Sequence, residues 1–182
     1  MGIRNSWTLN IDELLVADQL KEYFKKTEYD VFFPLNSQMK DIDLVIMNVK
    51  TTKAKTIQVK GSRTYIPRKS EVERYGEGSA AWFKIGVDSI FKTSNKLDYY
   101  VFALHSFIDS DIKKEIQVNY LIISSKDFQA LCSKKKTRSD GKSYDFIIWI
   151  DPKGKRVFEM RNFKEGVVPL SNYLNNWSSI KV

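Results

Sequence analysis

Residues 42–61, IDLVIMNVKTTKAKTIQVKG, decide the fold. Ile42 to Val49 and Thr56 to Gly61 are rich in β-branched and apolar residues, and the polar segment Lys50 to Lys55 between them is too short for a helical crossover. The two runs are therefore expected to form an antiparallel hairpin. Alternate strand residues share a face, so Gln58 and Lys60 point one way while Ile57 and Val59 enter the opposite layer. With Lys50 to Lys53 as the turn, Asp43 falls opposite Lys60, Cβ atoms roughly 4.5–5.5 Å apart, and Gln58 lies one diagonal step away. A shift by one pair keeps the three as neighbours, whereas a one-residue slip separates them.

Upstream, Ile11, Leu14, Leu15, Ala17, Leu20, Tyr23 and Phe24 recur at helical spacing, which predicts a helix over 11–26 with Asn10 or Asp12 as its cap. Tyr29 to Phe33 reads as a strand ended by Pro34, and 36–41 as a loop. Downstream, 66–79 reads as a charged surface loop. Trp82, Phe83, Ile85, Val87, Ile90 and Phe91 predict a helix over 80–94, with Trp82, Phe83 and Phe91 packing in the core. Tyr99 to Leu104 suits a strand buried on both faces, and Gln117 to Ile123 follows as another after the charged loop 109–115. Ser124 or Ser125 can cap a helix running to about Lys135. Tyr144 to Ile150 and Arg156 to Met160 predict a second hairpin around the turn 151–154, and Val168 to Trp177 a closing helix. The resulting class is α/β in the mixed, α+β sense: a mixed β-sheet flanked by helices.

The chain has 182 residues and a mass of 21.2 kDa, the size of one domain spanning 1–182. An apolar share of 42%, with only 8 Gly and 4 Pro, excludes collagenous and disordered classes. One cysteine, Cys132, forms no internal disulfide, and one histidine, His105, excludes a site built from several imidazoles. Cys132 reads as a buried small side chain and His105 as structural. No signal-type h-region and no apolar run long enough for a membrane span is evident, so a soluble, intracellular, cytoplasmic protein is expected, without membrane partners. The balance of 30 Lys+Arg against 22 Asp+Glu leaves +8 and a pI near 9.4, which favours polyanionic partners.

The hairpin is where chemistry concentrates. A hard divalent ion takes oxygen ligands and is commonly held by one or two carboxylates plus substrate phosphate. Asp43 supplies the charge, the Gln58 side-chain carbonyl a neutral oxygen, and the Val59 backbone carbonyl another. Lys60 can orient an attacking water or stabilise charge developing on phosphate. Glu13, on the first helix, is the candidate second carboxylate, and the rotation of that helix decides whether it reaches the others.

A Glu-bearing helix, Asp43 at a strand start, Gln58-Val59-Lys60 on the next strand and the later run Leu97-Asp98-Tyr99-Tyr100-Val101-Phe102-Ala103-Leu104 together resemble the PD-(D/E)XK nuclease superfamily. The variant is the one with Gln in place of the acidic residue of E-x-K. The resemblance spans about Ile11 to His105 and extends to small members such as restriction-type endonucleases and Holliday junction resolvases. It departs from the pattern at Ile42, where the signature Pro would stand, and at neutral Gln58.

The resemblance implies a restriction endonuclease-like αβββαβ core, with 106–182 as an accessory part ending in a hairpin and helix. It also implies a Mg²⁺- or Mn²⁺-dependent endonuclease hydrolysing DNA, in restriction, repair or junction resolution, through Asp43, Gln58, Lys60 and Glu13. RNA is the alternative substrate, and cutting both strands would call for a homodimer. The contrasting expectation is a catalytically inactive nucleic-acid-binding or protein-interaction module that keeps the fold without the ion. Ser62, Arg63, Thr64 and Tyr65, beyond Lys60, and Arg68, Lys69 and Arg74 in the expected loop are candidates for phosphate contacts. The basic run Lys134 to Arg138 reads as a solvated helix end.

Overall fold

The structure is a computed structural model that describes residues 10–34, 41–65, 67–92, 96–109, 114–161 and 166–182. The expected loop 36–41 lies outside them except for Asp41, as do Ile66 at the head of the expected charged loop and the centre of 109–115. Helix α1 (Ile11–Tyr23) begins where the Asn10 side chain accepts a bond from the Asp12 N–H at 3.2 Å, satisfying a donor that has no partner inside the helix. Strands β1 (Tyr29–Phe32), β2 (Leu44–Asn48), β3 (Ala54–Gly61) and β4 (Arg63–Tyr65) follow. Next come α2 (Lys69–Tyr75), β5 (Ser79–Gly86), α3 (Val87–Phe91), β6 (Tyr99–Asp109) and β7 (Lys114–Ser124). The chain ends with α4 (Ser125–Ser133), β8 (Ser143–Ile150), β9 (Val157–Glu159), β10 (Val168–Pro169) and two 3-10 turns.

The fold is mixed α+β, with two five-stranded sheets. In the first, the order is β1-β2-β3-β6-β7, and only the β3/β6 pairing is parallel, so this sheet is mixed. The second, β10-β9-β8-β5-β4, is antiparallel throughout. Its strands come from two places: β4 and β5 lie in the crossover from β3 to β6, and β8 to β10 follow α4. The 3.6 and 2.0 periodicities of helix and strand set which faces are buried. Val16, Ala17 and Leu20 of α1 pack on Leu44, Ile46, Ile57, Val59, Val101 and Ala103 of the first sheet. The alternate residues Tyr100, Phe102 and Leu104 of β6 face the second sheet, meeting Ala81, Phe83 and Phe146, with Phe128 of α4 beside them. No helix among the described residues is long and apolar enough to cross a membrane.

Several expected elements differ. Residues 80–94 are not one helix, because β5 pairs with β8 over its full length and only the short α3 follows. Ala81, Phe83 and Ile85 are buried in strand alternation. Trp82 is 45% exposed and Phe91 41% exposed, so of the three expected core aromatics only Phe83 is buried. The expected loop 66–79 contains α2, and the expected closing helix is instead β10 with 3-10 turns, broken where Asn175 takes a positive φ of 49°. In α1, Ile11 (67% exposed) and Leu14 (44%) face outward, and Asp12 and Val16 occupy the buried side.

The β2–β3 hairpin forms with a register one pair away from the expected one. Leu44 faces Ile57 and Met47 faces Ala54. A two-residue turn at Thr51-Thr52 would need positive φ at two β-branched residues. Instead the Asn48 carboxamide accepts from the Lys50 and Thr51 N–H groups, each at 3.0 Å, and holds a longer loop in which only Thr52 is left-handed, at φ 60°.

Candidate active site

Asp43 sits immediately before β2 and clasps β3 with two bonds. Its N–H donates to the Ile57 carbonyl at 2.9 Å, and its Oδ2 accepts from the Val59 N–H at 2.7 Å. These bonds bracket Gln58, so Asp43 lies beside Gln58 and not directly opposite Lys60, a correction that follows from the longer turn. Gln58 is 2% exposed, and its Oε1 is buried without a hydrogen-bond partner. A buried amide oxygen left in that state costs about 1–3 kcal/mol, and a partner from outside the protein would relieve that cost.

Glu13 stands three, four and seven residues before Val16, Ala17 and Leu20, which places it at the N-terminal end of the sheet-facing stripe of α1. The rotation of α1 thus turns this carboxylate toward β3. Three charges then act on one another. Burial, then the Asp43 charge, raise the Glu13 carboxyl above its ordinary range. Burial also raises Asp43, against the lowering effects of the Val59 N–H and of Lys60. Lys60 is lowered by burial, against the attraction of Asp43, Asp41 and Glu13. Desolvation therefore dominates at all three groups, the pattern expected where ionisable groups are held for chemistry or for an ion.

The end of β3 also shows residues that the sequence reading did not connect. A Cβ on Gly61 would collide with the Asp12 carboxylate, whose Cγ would be only 2.7 Å away. Asp12 is buried, and its Oδ1 lies 2.7 Å from Nε2 of His105 on β6. The glycine after Lys60 lets the start of α1 seat directly on β3, and the Asp12–His105 pair ties that start to β6. The signal was the Gly61 that ends Q-V-K-G, but its meaning depends on a helix 49 positions earlier in the chain.

Among the outlying candidates, Ser62 donates from Oγ to the Trp82 carbonyl at 3.5 Å. Arg63 and Thr64 belong to β4, and their side chains lie outside the described residues. Tyr65 is half-buried, its phenol raised by burial and by Glu71. Arg68 and Lys69, at the start of α2, are exposed. The run 134–138 is not a wholly solvated end. Lys135 is buried, 2.9 Å from the Glu159 carboxylate, and Arg138 pairs with Asp145 at 2.6 Å. Cys132 is buried in α4, its thiol pushed up to about 12 by desolvation.

No family model, curated protein or solved structure matches the chain. Among the described residues no three Asp, Glu, His or Cys side chains group closely enough to hold a metal ion. The donor set at β3 is of another composition: the Glu13 and Asp43 carboxylates, the unpartnered Gln58 Oε1 and the Val59 carbonyl. All are hard oxygens, the chemistry that Mg²⁺ or Mn²⁺ accepts, and the orphaned Gln58 oxygen fits such an ion.

Proposed function

We propose that this chain is a divalent-metal-dependent endonuclease hydrolysing phosphodiester bonds of DNA, with a restriction endonuclease-like core. The observation that carries the reading is the Asp43 carboxylate clasped to β3 on either side of Gln58, whose Oε1 is unpaired, with Lys60 on the same strand and Glu13 near enough to feel the Asp43 charge, all three charged groups desolvated. The order α1-β1-β2-β3, a crossover, then β6 parallel to β3 supports it.

Asp43 and Glu13, with the Gln58 and Val59 oxygens, would hold Mg²⁺ or Mn²⁺, which supplies Lewis-acid polarisation of the phosphate and acidifies bound water. Burial biases Lys60 toward giving up its proton. Its side chain can orient the attacking water or, as ammonium, donate to a phosphate oxygen. The Val59 N–H holds one Asp43 oxygen and fixes the orientation of the carboxylate. Attack by water forms the new P–O bond, the bond to the leaving sugar oxygen breaks, and that oxygen is protonated from solvent. Site Asp12–His105 contacts position α1 and with it Glu13.

Supercoiled plasmid incubated with the protein and Mg²⁺ or Mn²⁺ should be nicked or linearised. EDTA should stop the reaction. Asp43→Asn, which keeps the acceptor for the Val59 N–H, and Lys60→Ala should each lower the rate at least about 100-fold. Undiminished cleavage by both variants would reject the assignment. A non-catalytic nucleic-acid-binding module is the second reading, favoured by the neutral Gln58. Calorimetry with Mn²⁺ in the presence of oligonucleotide separates the two, since the second reading requires no heat of metal binding.

A further inference from the structure

On the side of the second sheet that carries α2, two adjoining hollows of about 470 and 480 Å³ share Arg68, Glu71 and Arg161. Tyr65 and Trp82 line one, and Arg74 lines the other. Their carboxylates are already engaged. Glu71 accepts from the Arg68 N–H at 3.0 Å and lies 3.9 Å from the Arg161 guanidinium. Asp145 is gripped by Arg138 at 2.6 and 2.8 Å and accepts from the Trp82 indole N–H at 3.2 Å. Among the described residues, Arg68 and Arg74 take no carboxylate partner, so the hollows offer net positive charge to a ligand.

Trp82 is the second element. It is 45% exposed, yet its indole is oriented by a carboxylate that is itself clamped by Arg138. A large ring left in water but held in place has little ordering entropy to lose on stacking, and every nucleobase presents a face to it. The third element is position. Lys60 and Tyr65 are five positions apart, at most about 18 Å, and Ser62 between them is bonded to the Trp82 carbonyl. A polynucleotide leaving the Asp43–Lys60 site along β4 reaches Trp82 within a few nucleotides.

We propose that these hollows form a groove for an unpaired segment of nucleic acid, one base stacked on Trp82 and neighbouring phosphates on Arg68, Arg74 and Arg161. A duplex keeps its bases stacked inside and cannot make the ring contact. The inference rests on the nuclease reading for its choice of nucleic acid among polyanions, but it concerns binding alone.

The test therefore excludes cleavage: the full chain carrying Asp43→Asn, in EDTA, is titrated into a dye-labelled oligothymidylate of about 15 nucleotides and into a duplex of the same length, followed by anisotropy. Trp82→Leu should weaken single-strand binding about tenfold or more and duplex binding less than about threefold, whereas Trp82→Phe should keep most of the affinity. Arg68→Ala combined with Arg74→Ala should reduce the slope of log K against log salt by about 1.4. Unchanged single-strand affinity in Trp82→Leu, or an unchanged slope in the arginine variant, overturns the groove. So does displacement of the oligonucleotide by poly-glutamate with no dependence on Trp82, which would assign the surface to an acidic protein. Any of these results leaves the plasmid-nicking test standing, and failure of nicking leaves a positive binding result intact.

Discussion

Gly61 is a residue whose value lies in what it lacks. Its missing Cβ admits the Asp12 carboxylate, which in turn pairs with His105 and seats the helix that carries Glu13. Gly61→Ala should lower stability by about 1–3 kcal/mol in urea titration, because α1 must back away from β3, and plasmid nicking should fall with it. Lys135 and Glu159 show a different cost. Both are buried, Glu159 also accepts from the Ile147 and Arg161 N–H groups, and burial raises the acid above its ordinary 4.5 and lowers the amine below 10.5. Lys135→Met should destabilise the protein by about 3–5 kcal/mol at neutral pH, since a buried carboxylate loses its cation. For a carboxyl with a raised folded pKa, the penalty is present above that pKa and disappears as pH falls through it. The stability gap between variant and parent should therefore narrow as pH falls from 7 through the raised pKa of Glu159, followed by urea midpoints at successive pH values.

At the scale of elements, the β2–β3 hairpin was legible as a hairpin because two β-rich runs flank a polar stretch. Its register was not, since the Asn48 side chain, and not loop length alone, chose the turn. Thr52 bears the cost of that turn at φ 60°. Thr52→Gly should raise stability by up to about 1 kcal/mol, the relief of left-handed strain less the added flexibility of the unfolded chain, measured by thermal or urea unfolding. A loss of stability would show that the strain is not stored there. Segment 80–94 reads as a helix for a related reason. Phe83, Ile85, Val87, Ile90 and Phe91 satisfy both a 3.6 and, in part, a 2.0 period. Pairing with β8, a strand some 60 positions later, resolves the ambiguity in favour of β5. The α1 stripe was displaced likewise: Leu14 is exposed and Glu13 turns inward, because Gly61 lets Asp12 approach the sheet.

Over the whole molecule, the two sheets are joined by aromatic packing between them. Phe102 of β6 meets Phe83 of β5 at 5.1 Å between ring centroids and Phe128 of α4 at 5.3 Å. Phe102→Ala should cost about 3–5 kcal/mol, and tryptophan fluorescence and far-UV circular dichroism should report one shared, shifted transition, because a cavity there loosens both sheets. Separate transitions for the two probes would contradict a shared core.

By itself the sequence determined the hairpin, the buried β6, the β8–β9 hairpin, the α+β class and the strand face shared by Gln58 and Lys60, since each rests on local alternation and turn chemistry. The tertiary structure decided the rest: that Asp43 brackets Gln58, that Glu13 comes within reach of the Asp43 charge, that Trp82 stands in water in a hollow shared with Arg68 and Arg161, and that Lys135 is buried. These depend on contacts between residues far apart in the chain, and no local period encodes which distant strand or helix will be there to make them.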